Sequence, residues 1–229
     1  MCIFGAMGGG NMFQGNQAHQ MFSNTFGLFV DTGWLFGLIL AILVGLVIIG
    51  GIKSIAKVTD KIVPFMAVLY VGTGAIILLV NIAQIPAAIG VVIAGAFSPT
   101  AITGGIVGVL IQGLKRAAFS NEAGVGSAAI AHAAVRTSEP LTEGYVAMLG
   151  PFIDTVIICT MTAMVIVITG AYTIDGVSGV ALTAAAFQSV FPWFGTLLAA
   201  AVLLFAFSTM ISWSYYGLKC WTYLFGESK

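Results

Sequence analysis

Charge is what this chain has least of. Asp, Glu, Lys and Arg make up 7% of its 229 residues, where a soluble domain carries about 25%. With 59% hydrophobic residues and a mean hydropathy of +1.08, no soluble fold of this length hides so much apolar surface. The few charges balance to zero, so nothing suggests a nucleic-acid partner. The strict alternation of a membrane barrel strand is also missing, because the apolar runs are continuous. Cysteine is scarce too: Cys2, Cys159 and Cys220 are dispersed, without metal-ligand spacing or a disulfide framework. The start shows neither a basic region nor a small-residue cleavage site, so no signal peptide is read there. It opens in the middle of an apolar segment, which suggests that the natural beginning is missing. What remains is an all-α, polytopic membrane helical bundle forming one transmembrane domain over residues 1–229.

A helical span needs about 20 apolar residues, and the charges act as punctuation. Spans are expected near 1–22, 32–52, 62–81, 100–115, 143–170 and 194–218. Pro64 falls in the first turn of the third, where proline is tolerated. Asn81, Gln84 and Pro86 end that span, and "IPAAIGVVIAGAF" reads as a short or re-entrant piece. Pro151 and Asp154 interrupt the fifth. Lys53, Lys57 and Lys61 then fall between the second and third spans, and Lys115, Arg116 and Arg136 between the fourth and fifth. Lys219 and Lys229 follow the sixth. Alternation through six spans puts every Lys and Arg on one side, and that bias marks the cytoplasmic side. The N-terminus is therefore expected in the cytoplasm of a plasma-membrane protein. "FSNEAGVGSAAIAHA" (119–133) lies at the same face, with Ala128–Arg136 long enough for a short surface helix.

Helical rise places several polar or small residues about 15 Å from that face, near the bilayer midplane. They are Gly104 and Gly105, Asp154, and Ser208 with Thr209. A carboxylate at that depth costs on the order of 3 kcal/mol, so Asp154 is either functional or a hydrogen-bonded helix tie. Pro151 one turn earlier frees a carbonyl, so Asp154 could equally serve helix geometry. Ser208 and Thr209 either bond the carbonyl one turn back or supply oxygens to a hard cation such as sodium. Trp213 is one turn beyond Thr209 on the same face, as a pocket wall or as packing. "TGGIVGVL" (103–110) offers close helix packing through Gly104 and Gly108, or a broken helix presenting Ile106 to a ligand. Asn11, Gln14 and Asn16 should face other helices or a cavity, since unpaired amides in lipid are costly. His19 falls at the outer end of its span and His132 in the cytoplasmic loop, neither with metal-ligand companions. Gly124–Ser127 lacks both a Walker lysine and a preceding strand, so a phosphate loop is not supported. No enzymatic constellation emerges.

Several segments carry a resemblance. "KRAAFSNEAGVGSAAIAHAAVRTSEP", "GYVAMLGPFIDTVIICTMTAMVIVITG", "GGIKSIAKVTDKIVPFMAVLY", "NIAQIPAAI" and "LLFAFSTMISWSYYGLKC" closely resemble the alanine or glycine:cation symporter family, over nearly the whole chain. The resemblance implies part of a leucine-transporter-type inverted-repeat fold and sodium-coupled uptake of small neutral amino acids. Sodium is then the coupling ion, with no cofactor. The six spans would be helices three to eight of eleven, an internal fragment inactive without the missing helices of the full-length chain. Gln14 matches a third-helix glutamine in a motif where Gly15 replaces the usual alanine. Gly104, Gly105 and Ile106 match a sixth-helix segment in which Ile106 replaces an aromatic residue. Thr209 and Trp213 match substrate-pocket positions, and Ser208 with Thr209 the sodium-site hydroxyls. Asn11, Asp154, Asn121 and Glu122 are further candidates. The last two sit in a structural loop or inner gate whose hydrogen bonds differ between transport states. A pore component, or a membrane scaffold that transports nothing, is the alternative.

Overall fold

A computed structural model describes residues 1–96, 110, 111, 113, 114 and 124–226. Among them all regular structure is helical. The chain divides into two compact units, one of Met1–Thr73 with Ile174–Lys229, the other of Gly74–Thr173.

The first unit opens with α1 (Cys2–Met7), a π-helical turn (Gly8–Met12) and α2 (Phe13–Phe26). Three consecutive glycines, without side chains to hold the tighter helix, widen into the π-turn. The helix stops at Gly27, whose φ of 66° is the left-handed conformation a helix C-terminus favours. Helix α3 (Gly33–Ile48) buries Phe36, Leu40 and Val44, spaced one turn apart. Helix α4 (Gly51–Val80) then runs without a break.

Two expectations change at α4. Lys53, Lys57 and Lys61 occupy its first turns rather than a connecting loop. They are all exposed and four residues apart, so a single face carries the charge while Ile55 stays buried. Pro64 is interior to the helix, not in its first turn. Helix formation starts at Gly51, which turns the chain with φ 64°, and neighbouring turns carry the helix past the N–H that proline lacks.

The second unit follows next in the chain. There α5 (Ile85–Ala96) follows a 3₁₀ turn, Ile82–Gln84. Helix α6 (Ser127–His132) leads to α7 (Pro140–Pro151), a π-helical stretch (Phe152–Cys159) and α8 (Thr160–Ile168). The interruption expected at Pro151 and Asp154 is thus a change of helical pitch within one continuous helix. Met161 of α8 seats on Gly74, where a Cβ would stand 2.6 Å from its Sδ.

Helices α9 (Val180–Val190) and α10 (Phe194–Phe225) complete the first unit. No expected span covers α9, which at 11 residues is too short to stand out. Its first N–H, from Val180, donates to Oε1 of Gln17 at 3.2 Å. This side chain from α2 therefore satisfies one of the orphan donors of a helix N-terminus. Ala18, Phe36, Leu40, Val44, Ile55, Ala206, Met210 and Ile211 form one buried cluster joining α2, α3, α4 and α10. Gly51–Val80, Pro140–Ile168 and Phe194–Phe225 are long and apolar enough to cross a membrane. Large apolar side chains point outward along them, among them Val68 and Leu149, as lipid-facing surfaces require. This is a multi-pass membrane protein.

Candidate functional site

In lipid, helices associate through close packing rather than through a hydrophobic drive, so small residues mark their contacts. The α1–π–α2 helix and α10 meet in this way and run antiparallel. Cys2 and Cys220 are neighbours at one end of the contact. One turn on, a Cβ on Gly217 would stand 2.9 Å from that of Ala6. One turn further, the Trp213 side chain covers Gly10 so closely that any Cβ there would overlap it. Ala18 then shares a cluster with Ala206 and Met210. Between these fixed points the register sets Gln14 level with Thr209. Ala6, Gly10 and Ala18 are buried, and Gln14, on the same stripe, is half-buried.

The π-turn decides what the amides do. Asn11 Nδ2 donates to the Ala6 carbonyl at 2.6 Å, and Gln14 Nε2 to the Gly9 carbonyl at 3.2 Å. Both bonds reach back five residues, to carbonyls that the widened helix leaves accessible. They hold the two side chains along the helix and leave each amide oxygen as an acceptor. Asn16 is exposed and lies 3.4 Å from Gln17 Nε2.

On α10 the two adjacent hydroxyls behave differently. Ser208 is buried and donates to the Phe205 carbonyl at 3.0 Å, with Met66 Sδ 3.7 Å away. Mid-helix threonines elsewhere follow the same habit: Thr73 donates to Leu69, Thr162 to Ile158 and Thr169 to Val165, each to a carbonyl one turn back. Thr209 is half-buried. Among the described residues its hydroxyl has no hydrogen-bond partner. Trp213 is 3% exposed and meets Tyr216 edge-on, with ring centroids 5.6 Å apart.

The first unit thus brings together Asn11, Gln14, Ser208, Thr209 and Trp213 on two packed helices. Asp154 belongs to the second unit, within the π-helical stretch. There Ala147, Pro151, Asp154, Ile158, Met161 and Val165 form the covered stripe at helical spacing, while Ile153 and Val156 beside it are exposed. The carboxylate therefore lies on the packed face of its helix. Gly104, Gly105, Ile106, Asn121 and Glu122 lie outside the described residues.

Two features escape the sequence reading. Gly10 is the seat of Trp213, and a run of three glycines gives no sign of which one an indole covers. His132 at the end of α6 pairs with Glu143 in the first turn of α7, Nδ1 to Oε1 at 2.5 Å. Their separation of eleven residues across a loop with Pro140 has no periodic signature. Among the described residues no three His, Cys, Asp or Glu side chains cluster, so the oxygen donors on this helix pair are hydroxyls, amides and carbonyls.

Comparison with known proteins adds to this geometry. The family model for the sodium:alanine symporter family matches residues 1–229. The sodium/alanine symporter AgcS of Methanococcus maripaludis is 44% identical over 97% of this chain and 49% of its own length. The probable sodium/glutamine symporter GlnT of Bacillus subtilis is 41% identical over 90% of this chain and 43% of its own. A sodium/proton-dependent alanine carrier protein of Bacillus sp. strain PS3 is 34% identical, covering 94% and 52%. The chain spans about half the length of the curated relatives it matches. With the family model covering it from end to end, the chain belongs to the sodium:alanine symporter family.

Proposed function

We propose that the protein formed with this chain couples sodium entry to uptake of a small neutral amino acid, alanine or glycine, by alternating access. The observation that carries the reading is the level pairing of Gln14 with Thr209, whose hydroxyl is not spent on its own helix. A hard cation takes oxygen ligands, and the hydroxyls of Ser208 and Thr209 supply two. Gln14, Thr209 and Trp213 contact the amino acid, with Asn11 and its π-turn shaping the same wall, and the family resemblance alone adds Gly104, Gly105 and Ile106 as substrate residues. Sodium bound at Ser208 and Thr209 favours the outward-facing, substrate-receptive state, and joint occupancy permits closure. A ligand shifts only an equilibrium whose two states it binds differently. Asp154 ties helices or relays charge at the midplane of the second unit. The fold is of the leucine-transporter type, inserted in the plasma membrane with its N-terminus and Lys- and Arg-bearing segments cytoplasmic. The family resemblance assigns Asn121 and Glu122 to an inner gate. The names of the relatives, two with alanine and one with glutamine, agree with an amino-acid substrate.

Alanine uptake into proteoliposomes containing the full-length protein tests this. Uptake rises with external sodium, and Thr209→Ala lowers sodium affinity at least roughly tenfold, as for a lost hydrogen-bonding or coordinating group of about 1.4 kcal/mol. Uptake indifferent to sodium overturns the symport reading. Sodium dependence unchanged in Thr209→Ala overturns the ion site.

A further inference from the structure

We infer that Cys2 and Cys220 form a dithiol site that oxidises to an intramolecular disulfide, stapling α1 to α10. In the sequence the two are as far apart as any cysteines in the chain, yet the register that sets Gly217 against Ala6 brings Cys220 beside Cys2 one turn on. Both are half-buried, whereas Cys159 is exposed in the other unit. The contact belongs to the tight antiparallel register that continues through Ala6 beside Gly217 and Gly10 beneath Trp213. A disulfide needs Cα atoms about 4.4–6.8 Å apart, an approach that helices reach where alanine faces glycine. No third His, Cys, Asp or Glu joins the pair among the described residues, so a four-ligand zinc site is not built there.

The oxidant is hydrogen peroxide. One thiolate attacks a peroxide oxygen, the O–O bond breaks, and the sulfur becomes a sulfenic acid as water leaves. The second thiol attacks that sulfur, the S–O bond breaks, and a second water departs with its proton. Two electrons pass from the two sulfurs to the peroxide. Thiol reductants reverse the bond by exchange, so the pair stays a dithiol in a reducing cytosol and closes under oxidative load. The inference does not depend on the transport reading.

The test treats the purified full-length protein with hydrogen peroxide, alkylates it with N-ethylmaleimide, and maps its peptides by mass. The expected product is a linked Cys2–Cys220 peptide lacking two hydrogens, separated by phosphine into two alkylatable thiols, with Cys159 alkylated throughout. The thermal midpoint in detergent rises on oxidation and returns on reduction. Cys2 and Cys220 both recovered as maleimide adducts after peroxide, or as separate sulfinic acids, overturn the pair. A linked peptide with an unmoved midpoint overturns the staple.

Discussion

Gly10 and Thr209 carry the account at the scale of single residues, and for opposite reasons. Gly10 matters for what it lacks: the Trp213 side chain fills the space of any Cβ. Gly10→Ala must therefore displace either the indole or the π-turn, at about 1–3 kcal/mol for overpacking. A lower unfolding midpoint in detergent is expected, with Gly15→Ala as the comparison, since a Cβ at Gly15 meets open space. Thr209 matters for what it leaves unused. The sequence made it visible, because a hydroxyl pair inside an apolar run stands out. It could not say which hydroxyl is spent on the helix backbone. Ser208 is, and Thr209 is not. Gln14 was legible in the same way as Thr209, whereas the seat of Trp213 was not. A contact between residues so far apart in the chain depends on helix register, which no local pattern encodes.

Among the elements, the long apolar helices were the most legible and their ends the least. The spans expected over 62–81 and 143–170 match Gly51–Val80 and Pro140–Ile168 to within two residues at their C-terminal ends, and that over 194–218 lies within Phe194–Phe225. The sequence read charge as a break, but Lys53, Lys57 and Lys61 continue α4 because all three share one exposed face. Long lysine stems let such a face remain helical while the ammonium groups reach water. Helix α9 was missed because eleven residues are half a span, and its start depends on Gln17 from elsewhere in the chain. The join between α6 and α7 makes a separate prediction. The His132–Glu143 pair is partly buried, at 35% and 18% side-chain exposure. Its loss in His132→Ala or Glu143→Ala lowers stability by about 1–2 kcal/mol, and the double variant loses no more than the worse single one. Additive losses in chemical unfolding would show that the two side chains act independently.

For the molecule as a whole, composition alone set the class, since a chain so poor in charge must place its apolar surface in lipid. Among the described residues three helices of about 30 residues agree with that, each long enough to exceed a bilayer core of roughly 30 Å. Partnership between elements could not be read in advance, because small residues such as Ala6, Gly10 and Gly217 look alike along any apolar helix. The structure orders them into one antiparallel seam, and the proposed site lies along it. The central claim is that Gln14 and Thr209, on two helices, serve one ligand. A double-mutant cycle on alanine binding in sodium, using Gln14→Ala and Thr209→Ala in the full-length protein, measures that directly. A coupling energy of at least about 0.5 kcal/mol is expected for residues sharing a ligand, and effects that add to within about 0.3 kcal/mol would contradict the account.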